Sequence, residues 1–312
     1  MNNENNTNGG LCGLVNFGAT CYLNSILQSL IHNPHLLKII LNNKYSINNK
    51  FSDELLINEI DKLLKGSWSE NCTIVPKSLV LTLQNIDKNN LNEQNDPDEY
   101  YEKIINRLYE ETCFEVDIDI NKLNDIYSKE WLSYFKKNIS FINQTFYGQY
   151  KSEILCKECG YSHLSYNPFI TLKLELTSEN ILSCLKSHLS WEEDIVFTCD
   201  KCKCKDNAKK RLTLTKIPDI FSITIKRYNN VIEKNDSNIT ISNSFNIDDN
   251  KLELFSIVNH FGPCVYAGHY TSYIKYMKDD LWYHMDDNNI NQIDINSINT
   301  SNVYMLFYKK VN

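Results

Sequence analysis

Cys21 has the local sequence of a reactive thiol. It stands where a turn containing Gly18 meets a segment, residues 21–31, whose apolar side chains recur at helical spacing. With Thr20 as the N-cap, the thiol lies in the first helical turn, where unpaired N–H groups and the helix dipole stabilise a thiolate. The thiolate is the nucleophilic form of cysteine. A small buried thiol that only opens a helix is the alternative, and this segment alone does not decide between the two roles.

Two residues far along the chain are suited to activate that thiol. His269, one of seven histidines, begins a predicted strand after a loop of small residues. Asp286, the first of two adjacent aspartates, ends the next predicted strand, beyond a turn at residues 278–280. Because the start of one antiparallel strand faces the end of the next, the two side chains are predicted to meet. A carboxylate in that position orients the imidazole that takes the proton of the thiol.

Asn16 and a short acidic run are further candidates. Asn16 lies in the turn before the Cys21 helix, where its amide N–H could face the oxyanion formed when a thiolate attacks a carbonyl. Its alternative role is to satisfy the backbone of its own turn. Asp96, Asp98 and Glu99 open a predicted helix, and the helix dipole alone explains carboxylates there. The functional alternative is an acidic wall that binds an arginine-bearing substrate tail.

Four cysteines have the spacing of a metal site. Cys156 and Cys159 form one C-x2-C pair, and Cys199 and Cys202 form a second, each beside predicted strands. Four thiolates so spaced favour a structural Zn²⁺ site. Cys204 could replace Cys202 or remain a free thiol. The other five cysteines are most simply buried apolar side chains: Cys12, Cys72, Cys113, Cys184 and Cys264.

Composition excludes several classes of protein. The formal net charge of −7 disfavours nucleic acid and anionic membranes as partners and favours a basic protein surface or peptide tail. No apolar run is long enough to span a membrane, and the polar N-terminus does not resemble a signal peptide. Eleven cysteines, an odd number, are read as thiols and ligands in a reducing compartment. We therefore expect a cytoplasmic or nuclear location.

The two halves of the chain have different predicted structure. Helical periodicity covers residues 53–64, 98–109 and 128–137, and Pro34 should stop the Cys21 helix. Alternating strand patterns fill the second half: residues 146–155, 165–176, 211–217, 220–228, 252–261, 269–277, 281–286 and 303–311. Residues 1–10 are predicted to be disordered. With no linker between the halves, a single α+β domain with a cleft between its layers is favoured over two independent domains.

Together these motifs resemble the catalytic domain of the ubiquitin-specific proteases, which are papain-like cysteine isopeptidases. The matching segments are residues 13–30 (the cysteine motif), 94–101 (the thumb-helix motif), 146–176 and 197–202 (the fingers), 216–228 (the entry to the palm), 266–276 and 282–287 (the histidine and aspartate motifs) and 303–310 (the last palm strand). The resemblance runs in order over nearly the whole chain.

The resemblance implies a fold and an activity. The fold is a papain-like cysteine protease with a helical thumb (about 11–140) and an antiparallel β palm with zinc-bearing β fingers (about 141–312), all in one catalytic domain, residues 11–312. The implied reaction is hydrolysis after the C-terminal glycine of ubiquitin by a triad of Cys21, His269 and Asp286. The implied partners are ubiquitin, ubiquitinated proteins and an activator protein if the resting triad is misaligned.

The resemblance also assigns roles to individual residues. Asn16 takes the oxyanion role, which Asp287 is expected to share. Asp96 and Glu99 face the ubiquitin tail, and the tail passes Gly268 and Tyr270 on its way to the thiol. Two alternatives stay open: a catalytically silent ubiquitin-binding scaffold, and an isopeptidase for another ubiquitin-like modifier.

Overall fold

Helices fill the first half of the chain. The computed structural model describes residues 9–51, 55–87, 93–228 and 233–311. The α-helices within these residues are α1 (Cys21–Ile31), α2 (Pro34–Leu41), α3 (Leu56–Ser69), α4 (Lys77–Asp87), α5 (Pro97–Thr112), α6 (Ile126–Tyr134), α7 (Phe141–Phe146) and α8 (Ile181–His188). All but α8 precede the first long strand, in agreement with the predicted division of the chain.

Strands fill most of the second half. Within the same residues they are β1 (Gly13–Leu14), β2 (Thr73–Ile74), β3 (Phe114–Glu115), β4 (Asn138–Ile139), β5 (Gly148–Cys156), β6 (Ser162–Phe169), β7 (Thr171–Glu175), β8 (Glu192–Ile195), β9 (Ala208–Lys216), β10 (Ile220–Lys226), β11 (Ser244–Ile247), β12 (Asn250–Cys264), β13 (Ala267–Lys275), β14 (Trp282–Asp286), β15 (Asn289–Ile293) and β16 (Val303–Val311). A strand occurs in every segment where the sequence predicted one.

The helix α1 lies at the centre of the thumb. Every one of its residues is buried, and the helix packs against β13 of the palm and against α5. The Ser29 and Ser256 hydroxyls, 2.7 Å apart, join the helix to β12. Burial on all sides is typical of a helix that fills the core between two layers. The N-terminal end of α1, which carries Cys21, is therefore held rigidly against the palm.

The palm is one large sheet, in which the strand order is β15-β14-β13-β12-β16-β10-β7 and β11 pairs with β12. Neighbouring strands are antiparallel except β7 and β10, which are parallel, so the predicted antiparallel palm is correct for all pairs but this one. A parallel pair needs a long connection. Here that connection runs through α8 and the fingers.

The fingers are a separate sheet with the order β6-β5-β9-β8. The long pairings of β5 with β6 and with β9 run its full length. The two C-x2-C pairs lie at one end of this sheet, one starting at the last residue of β5 and the other between β8 and β9. The fold is thus mixed α and β, with thumb, palm and fingers as expected.

Several element boundaries differ from the prediction. The predicted start of α3 at residue 53 falls outside the described residues, and the helix extends beyond the predicted end at Leu64 to Ser69. The helix predicted over 128–137 ends at Tyr134, because Lys136 and Lys137 have positive φ angles. Pro34 does follow the end of α1, but it also begins α2, with Asn33 as the N-cap. Proline suits the first turn of a helix, where no N–H partner is needed.

The described chain begins in an ordered, packed segment. Residues 1–8 lie outside the described residues, but Gly9 and Gly10, also predicted to be disordered, are buried. The Gly10 N–H donates to the Ser67 carbonyl at 2.7 Å, and the Tyr276 hydroxyl donates to the Gly9 carbonyl at 2.7 Å. For these two glycines the prediction is wrong, because backbone hydrogen bonds tie them to both thumb and palm. Across the ranges described, no helix is long and apolar enough to cross a membrane.

Candidate active site

Cys21 is the first residue of α1 and is almost fully buried, with 3% of its surface exposed. Thr20 is the N-cap residue, but within the described chain no side chain caps the helix. The Thr20 hydroxyl instead accepts from the Phe17 N–H at 2.9 Å and donates to Asn16 Oδ1 at 3.1 Å. The first N–H groups of the helix therefore remain available near the thiol, where the helix dipole favours negative charge.

His269 and Asp286 meet as the strand pairing predicted. The pairing of β13 with β14 brings His269 Nε2 within 2.6 Å of Asp286 Oδ1. Hydrogen bonding with the Cys21 thiol, and then with Asp286, raises the pKa of His269 to about 9, although partial burial opposes the shift. Since Asp286 occupies Nε2, the other ring nitrogen is left for the thiol. The three groups form one connected set in which the imidazolium is stabilised by its neighbours.

The Asp287 carboxylate accepts hydrogen bonds from two amide side chains beside this set. Asn16 Nδ2 donates to Asp287 Oδ2 at 2.9 Å, and Asn24 Nδ2 donates to Asp287 Oδ1 at 2.8 Å. The Asn16 carbonyl oxygen accepts from the Thr20 N–H at 3.1 Å, which fixes which end of the amide carries its N–H groups. The Asp287 backbone oxygen accepts from the Leu14 N–H at 2.8 Å. Asn16 is therefore held on both sides, with its amide nitrogen toward Asp287.

The acidic run at the start of α5 joins thumb to palm. The Tyr304 hydroxyl donates to Asp96 Oδ2 at 2.8 Å, and Asp96 Oδ1 accepts from the Asp98 N–H. Burial raises the pKa of Asp96 to about 6. Asp98 is 3% exposed and binds the Thr224 hydroxyl at 2.7 Å and the Lys173 ammonium at 2.9 Å. The carboxylates of Asp96 and Asp98 therefore make structural contacts. A structural role was one of the two interpretations made from the sequence.

Glu99, the third acidic residue of the run, has a different environment. Glu99, grouped with Asp96 as a substrate contact, is exposed to solvent at the start of α5. Burial, and then the charges of Glu99 and Asp96, raise the pKa of the half-exposed Tyr266. Tyr266 belongs to the turn between β12 and β13, just before Gly268. The carboxylates at the start of α5 therefore act electrostatically on this palm turn.

Gly268 is a point of close contact between thumb and palm. Its φ angle is +149°, and a Cβ atom there would lie 2.4 Å from the Phe261 carbonyl oxygen and 2.6 Å from His260 Nε2. Gln94 Nε2 donates to the Gly268 carbonyl oxygen at 2.5 Å. Only glycine fits this position without displacing the backbone of β12. Gly268 thus lies directly before His269 in β13 and is bound by Gln94 of the thumb.

Tyr270 was predicted to contact a substrate tail, but in this structure it is buried, with 1% of its surface exposed. Its hydroxyl donates to the Val265 carbonyl at 2.8 Å, and its ring stacks on His260 with 4.2 Å between centroids. Burial lowers the pKa of His260 to about 4, so this ring is neutral near pH 7. Tyr270 thus supports the turn before Gly268 from beneath.

The four C-x2-C cysteines come together at the end of the fingers. Sulfur atoms of Cys156 and Cys202 are 3.7 Å apart, as are those of Cys159 and Cys199, and all four lie within 4.8 Å of one another. Tetrahedral Zn–S bonds of about 2.3 Å require sulfur separations of roughly 3.8 Å, so the set fits a metal ion. Cys204 is not part of the cluster of four.

Two residues at the site were not singled out from the sequence. Gln94 was only part of the thumb-helix motif, yet its Oε1 is buried and has no hydrogen-bond partner among the described residues. Asn24 was only one position of the α1 helix, yet it binds Asp287, 263 residues away in sequence. The local sequence does not single out Asn24, because Ser25, Gln28 and Ser29 are also polar and buried in the same helix.

Known protein sequences match this chain over nearly its whole length. The family model for ubiquitin carboxyl-terminal hydrolase matches residues 12–308. Ubiquitin carboxyl-terminal hydrolase Usp2 of Drosophila melanogaster is 27% identical over 96% of this chain and 35% of its own length. Ubiquitin carboxyl-terminal hydrolase 23 of Arabidopsis thaliana is 26% identical over 95% of this chain and 35% of its own. The chain thus spans about a third of the length of these curated relatives.

Solved structures share the fold. The yeast SAGA DUBm with an Sgf73 mutant aligns with a TM-score of 0.79 and 23% identity, covering 100% of this chain and 71% of the matched chain. The SAGA Ubp8/Sgf11/Sus1/Sgf73 DUB module bound to ubiquitin aldehyde aligns with a TM-score of 0.78 and 23% identity, covering 99% and 71% respectively. At this level of identity the similarity establishes the architecture of thumb, palm and fingers.

Proposed function

Because the chain belongs to the ubiquitin carboxyl-terminal hydrolase family, we propose that it is a cysteine protease that hydrolyses the peptide or isopeptide bond after the C-terminal glycine of ubiquitin. The observation that carries this proposal is the connected set of Cys21, His269 and Asp286, with a 2.6 Å hydrogen bond between the last two. A nucleophile, a base in contact with it and a carboxylate on the far side of the base are the parts that acyl transfer requires.

Acylation begins with Cys21 as a thiolate and His269 as an imidazolium, which together form an ion pair. The Cys21 thiolate attacks the carbonyl carbon of the terminal glycine, and the carbonyl π electrons move to oxygen. The tetrahedral intermediate then collapses as protonated His269 gives its proton to the departing lysine amine. The raised pKa of His269, about 9, means that the imidazolium is present at neutral pH to supply that proton. The product is a thioester on Cys21 and a free amine.

Asn16 stabilises the oxyanion of that intermediate. Its amide nitrogen has two N–H groups, of which one is donated to Asp287, so the second can reach an oxygen beside Cys21. The uncapped N–H groups at the start of α1 add a second source of donors. Asp287 was expected to share the oxyanion role directly. An ionised carboxylate accepts but cannot donate, so we assign Asp287 the positioning of Asn16 instead.

Deacylation reverses the role of His269. Once Cys21 is acylated, the hydrogen bond that does most to raise the pKa of His269 is gone, so the ring loses its proton more readily. Neutral His269 then removes a proton from a water molecule, which attacks the thioester carbonyl. The C–S bond breaks, the thiolate leaves, and ubiquitin is released with a free carboxylate.

The substrate tail lies in the thumb–palm cleft. We place the Gly-Gly end of ubiquitin beside Gly268, where a side chain would clash with β12, and an arginine of the tail near Asp96 and Glu99. The buried, unpaired Oε1 of Gln94 is an acceptor for a tail N–H group. Tyr270 contributes by supporting the turn above it.

The fingers hold the body of ubiquitin, and a zinc ion bound by Cys156, Cys159, Cys199 and Cys202 would keep them folded. Bound zinc here supplies structural cross-linking, since four thiolates leave no open coordination position. The chain acts as a single domain from residue 11 onward. An intracellular location in cytoplasm or nucleus suits its unpaired cysteines, and its acidic charge suits a basic protein tail rather than nucleic acid or membrane.

Two other functions use the same surface. A silent ubiquitin-binding scaffold is disfavoured because His269 is hydrogen-bonded to Asp286 and Asn16 is hydrogen-bonded to Asp287, as a working site would need. An isopeptidase for another ubiquitin-like modifier uses the same reaction. It differs only in the contacts that the fingers and the tail cleft make with the modifier. An activator protein is a further candidate partner, because some relatives of this fold are found in assemblies, such as the Ubp8/Sgf11/Sus1/Sgf73 module.

Turnover of ubiquitin carrying a C-terminal fluorogenic amide tests the proposal. Cys21→Ala should abolish turnover and leave ubiquitin binding, measured by titration, within about twofold of wild type, because only the sulfur that forms the acyl bond is lost. Cys113→Ala, which removes a half-buried thiol of α5's C-terminal end, is the matched control and should keep full activity. Wild-type turnover in the Cys21 variant would remove this residue from the mechanism.

A further inference from the structure

A pair of thiols lies close together beneath the segment that carries Asn16. Cys12 and Cys72 have their sulfur atoms 3.4 Å apart. Cys12 precedes β1 and Cys72 precedes β2, and these two strands pair in parallel with Gly13 opposite Thr73. The Gly13 N–H donates to the Cys72 carbonyl at 3.0 Å, so the ladder extends back to the cysteines.

This arrangement matches the geometry that a disulfide requires. Neighbouring strands lie about 4.8 Å apart, which is within the Cα separation of roughly 4.4–6.8 Å found in disulfides. The register places Cys12 opposite Cys72, so both side chains leave the ladder on the same side. Rotation of the two side chains has to bring the sulfurs closer by only about 1.4 Å to reach a bond length of about 2.0 Å.

The two thiols differ in exposure. Cys12 is fully buried, and its sulfur also contacts the Ser67 and Glu70 carbonyl oxygens at 3.2 and 3.1 Å. Burial raises the pKa of Cys12 to about 11, so it stays protonated at neutral pH. Cys72 is only half-buried. An oxidant from solvent therefore meets Cys72 first, and Cys12 is placed behind it as the resolving thiol.

We propose that Cys12 and Cys72 form a site of oxidative modification, which a peroxide converts to an intramolecular disulfide. The Cys72 thiolate attacks one peroxide oxygen and breaks the O–O bond, which gives a sulfenic acid on Cys72 and releases an alcohol or water. The Cys12 sulfur then attacks the Cys72 sulfur, the S–O bond breaks, and water leaves with the Cys12 proton. Two cysteines are oxidised by two electrons and one peroxide is reduced.

The disulfide would tie the arm that carries Asn16 to the thumb. Gln28 Nε2 donates to the Cys12 carbonyl at 2.7 Å, and two residues on, the Leu14 N–H donates to Asp287. A covalent link at Cys12 therefore restrains a segment already bound to α1 and to the palm. The two cysteines are 60 residues apart, and closing a loop of that length should raise the melting temperature by several degrees.

The test uses the full, zinc-supplemented chain with Cys21 replaced by alanine. Trypsin releases Cys12 and Cys21 in one peptide, residues 1–38, and Cys72 in residues 66–77. Cys21→Ala therefore leaves Cys12 as the only thiol in the first peptide. The protein is treated with one equivalent of hydrogen peroxide, alkylated with N-ethylmaleimide and digested without reductant. Cys72→Ser in the same background abolishes the link, and Cys113→Ser, at another half-buried thiol, is the matched control.

The proposal requires one product. Peptides 1–38 and 66–77 should appear joined, two hydrogens lighter than their sum, in the Cys21→Ala and Cys113→Ser proteins, and dithiothreitol should separate them. The joined protein should melt several degrees higher than its reduced form. Peptide 66–77 carrying a sulfinic acid or an N-ethylmaleimide group, with peptide 1–38 unlinked, would overturn the proposal. The measurement involves no ubiquitin, so its outcome is independent of the proposed function.

Discussion

At the scale of single residues, the charge of Asp287 determines where the amides beside Cys21 point. It accepts from Asn16 and Asn24, and the Thr20 N–H fixes the other end of the Asn16 amide. This leaves one Asn16 N–H group for a substrate oxygen. A single oxyanion donor is worth about 3 kcal/mol of the barrier. In the proposed mechanism, the network therefore concentrates a large catalytic effect in one side chain that does not react.

Asn16→Ala should lower kcat by about 10²–10³-fold with little change in KM, because the lost hydrogen bond forms only in the transition state. Asp287→Ala should lower kcat in the same direction, since Asn16 then loses its orienting acceptor. Steady-state kinetics with a fluorogenic ubiquitin substrate measure both. Asn121→Ala, at an exposed position of the thumb, is the control. An unchanged kcat in the Asn16 variant would exclude it from the oxyanion site.

The pKa of His269 gives a second expectation at this scale. Hydrogen bonds with Cys21 and Asp286 raise it from 6.5 to about 9, so protonated His269 is favoured up to that pH and lost above it. Acylation needs that proton for the leaving amine. The value of kcat/KM for an isopeptide-linked substrate should therefore fall above about pH 9.

Asp286→Asn provides the control for this profile. It removes one of the groups that raise the pKa of His269, so the alkaline limb should move to lower pH as the maximum rate falls. A rate that stays constant through pH 9, or a limb that does not move in the variant, would contradict the assigned role of His269.

At the scale of elements, the sequence predicted those whose periodicity is strong. The position of α1 was correct at both ends because its apolar face, its start after a turn and its stop before Pro34 agree. Four helices of the described residues, α2, α4, α7 and α8, were not predicted. Pro34 was interpreted only as a stop, whereas proline is also favoured in a first helical turn. The longer strands were found because aromatic and β-branched residues alternate with polar ones, whereas short strands such as β8, β11 and β15 were not predicted.

The fingers carry the four cysteines of the proposed zinc site. Cys199→Ser should remove zinc from the purified protein and lower its melting temperature, because metal-binding free energy at such a site is folding free energy. Cys204→Ser should retain zinc, since Cys204 lies outside the cluster of four. Elemental analysis and thermal melting measure both effects. Metal-free wild-type protein, or loss of zinc in the Cys204 variant, would contradict the four-cysteine assignment.

At the scale of the whole molecule, the site depends on contacts between segments far apart in the chain. Motifs located Cys21, His269 and Asp286 because each has a distinctive local sequence. Gln94 could not be assigned in this way: its contact with Gly268 joins residues 174 positions apart. The burial of Tyr270 beneath its own turn is likewise a tertiary property. Local sequence thus identified the groups that we propose to react, whereas the fold was needed to identify the residues in contact around them.

The thumb–palm cleft is formed by direct contacts between helices of the thumb and strands of the palm. α1 packs on β13, so the helix that carries Cys21 and the strand that carries His269 are in direct contact. Asp96 and Asp98 hold the start of α5 to three palm strands through Tyr304, Thr224 and Lys173. A catalytic set assembled from both layers should react only when the whole domain is folded. The substrate should be recognised by the fingers and the tail cleft at once.

Reaction with ubiquitin carrying an electrophile at its C-terminus tests the central claim most directly. Wild-type protein, Cys21→Ala and a probe built on a different ubiquitin-like modifier are compared by intact mass. The account predicts one ubiquitin adduct on the wild-type chain, none on the Cys21 variant and none with the other modifier. No adduct on folded, zinc-loaded wild-type protein, or an adduct that persists without Cys21, would contradict the proposed deubiquitinase.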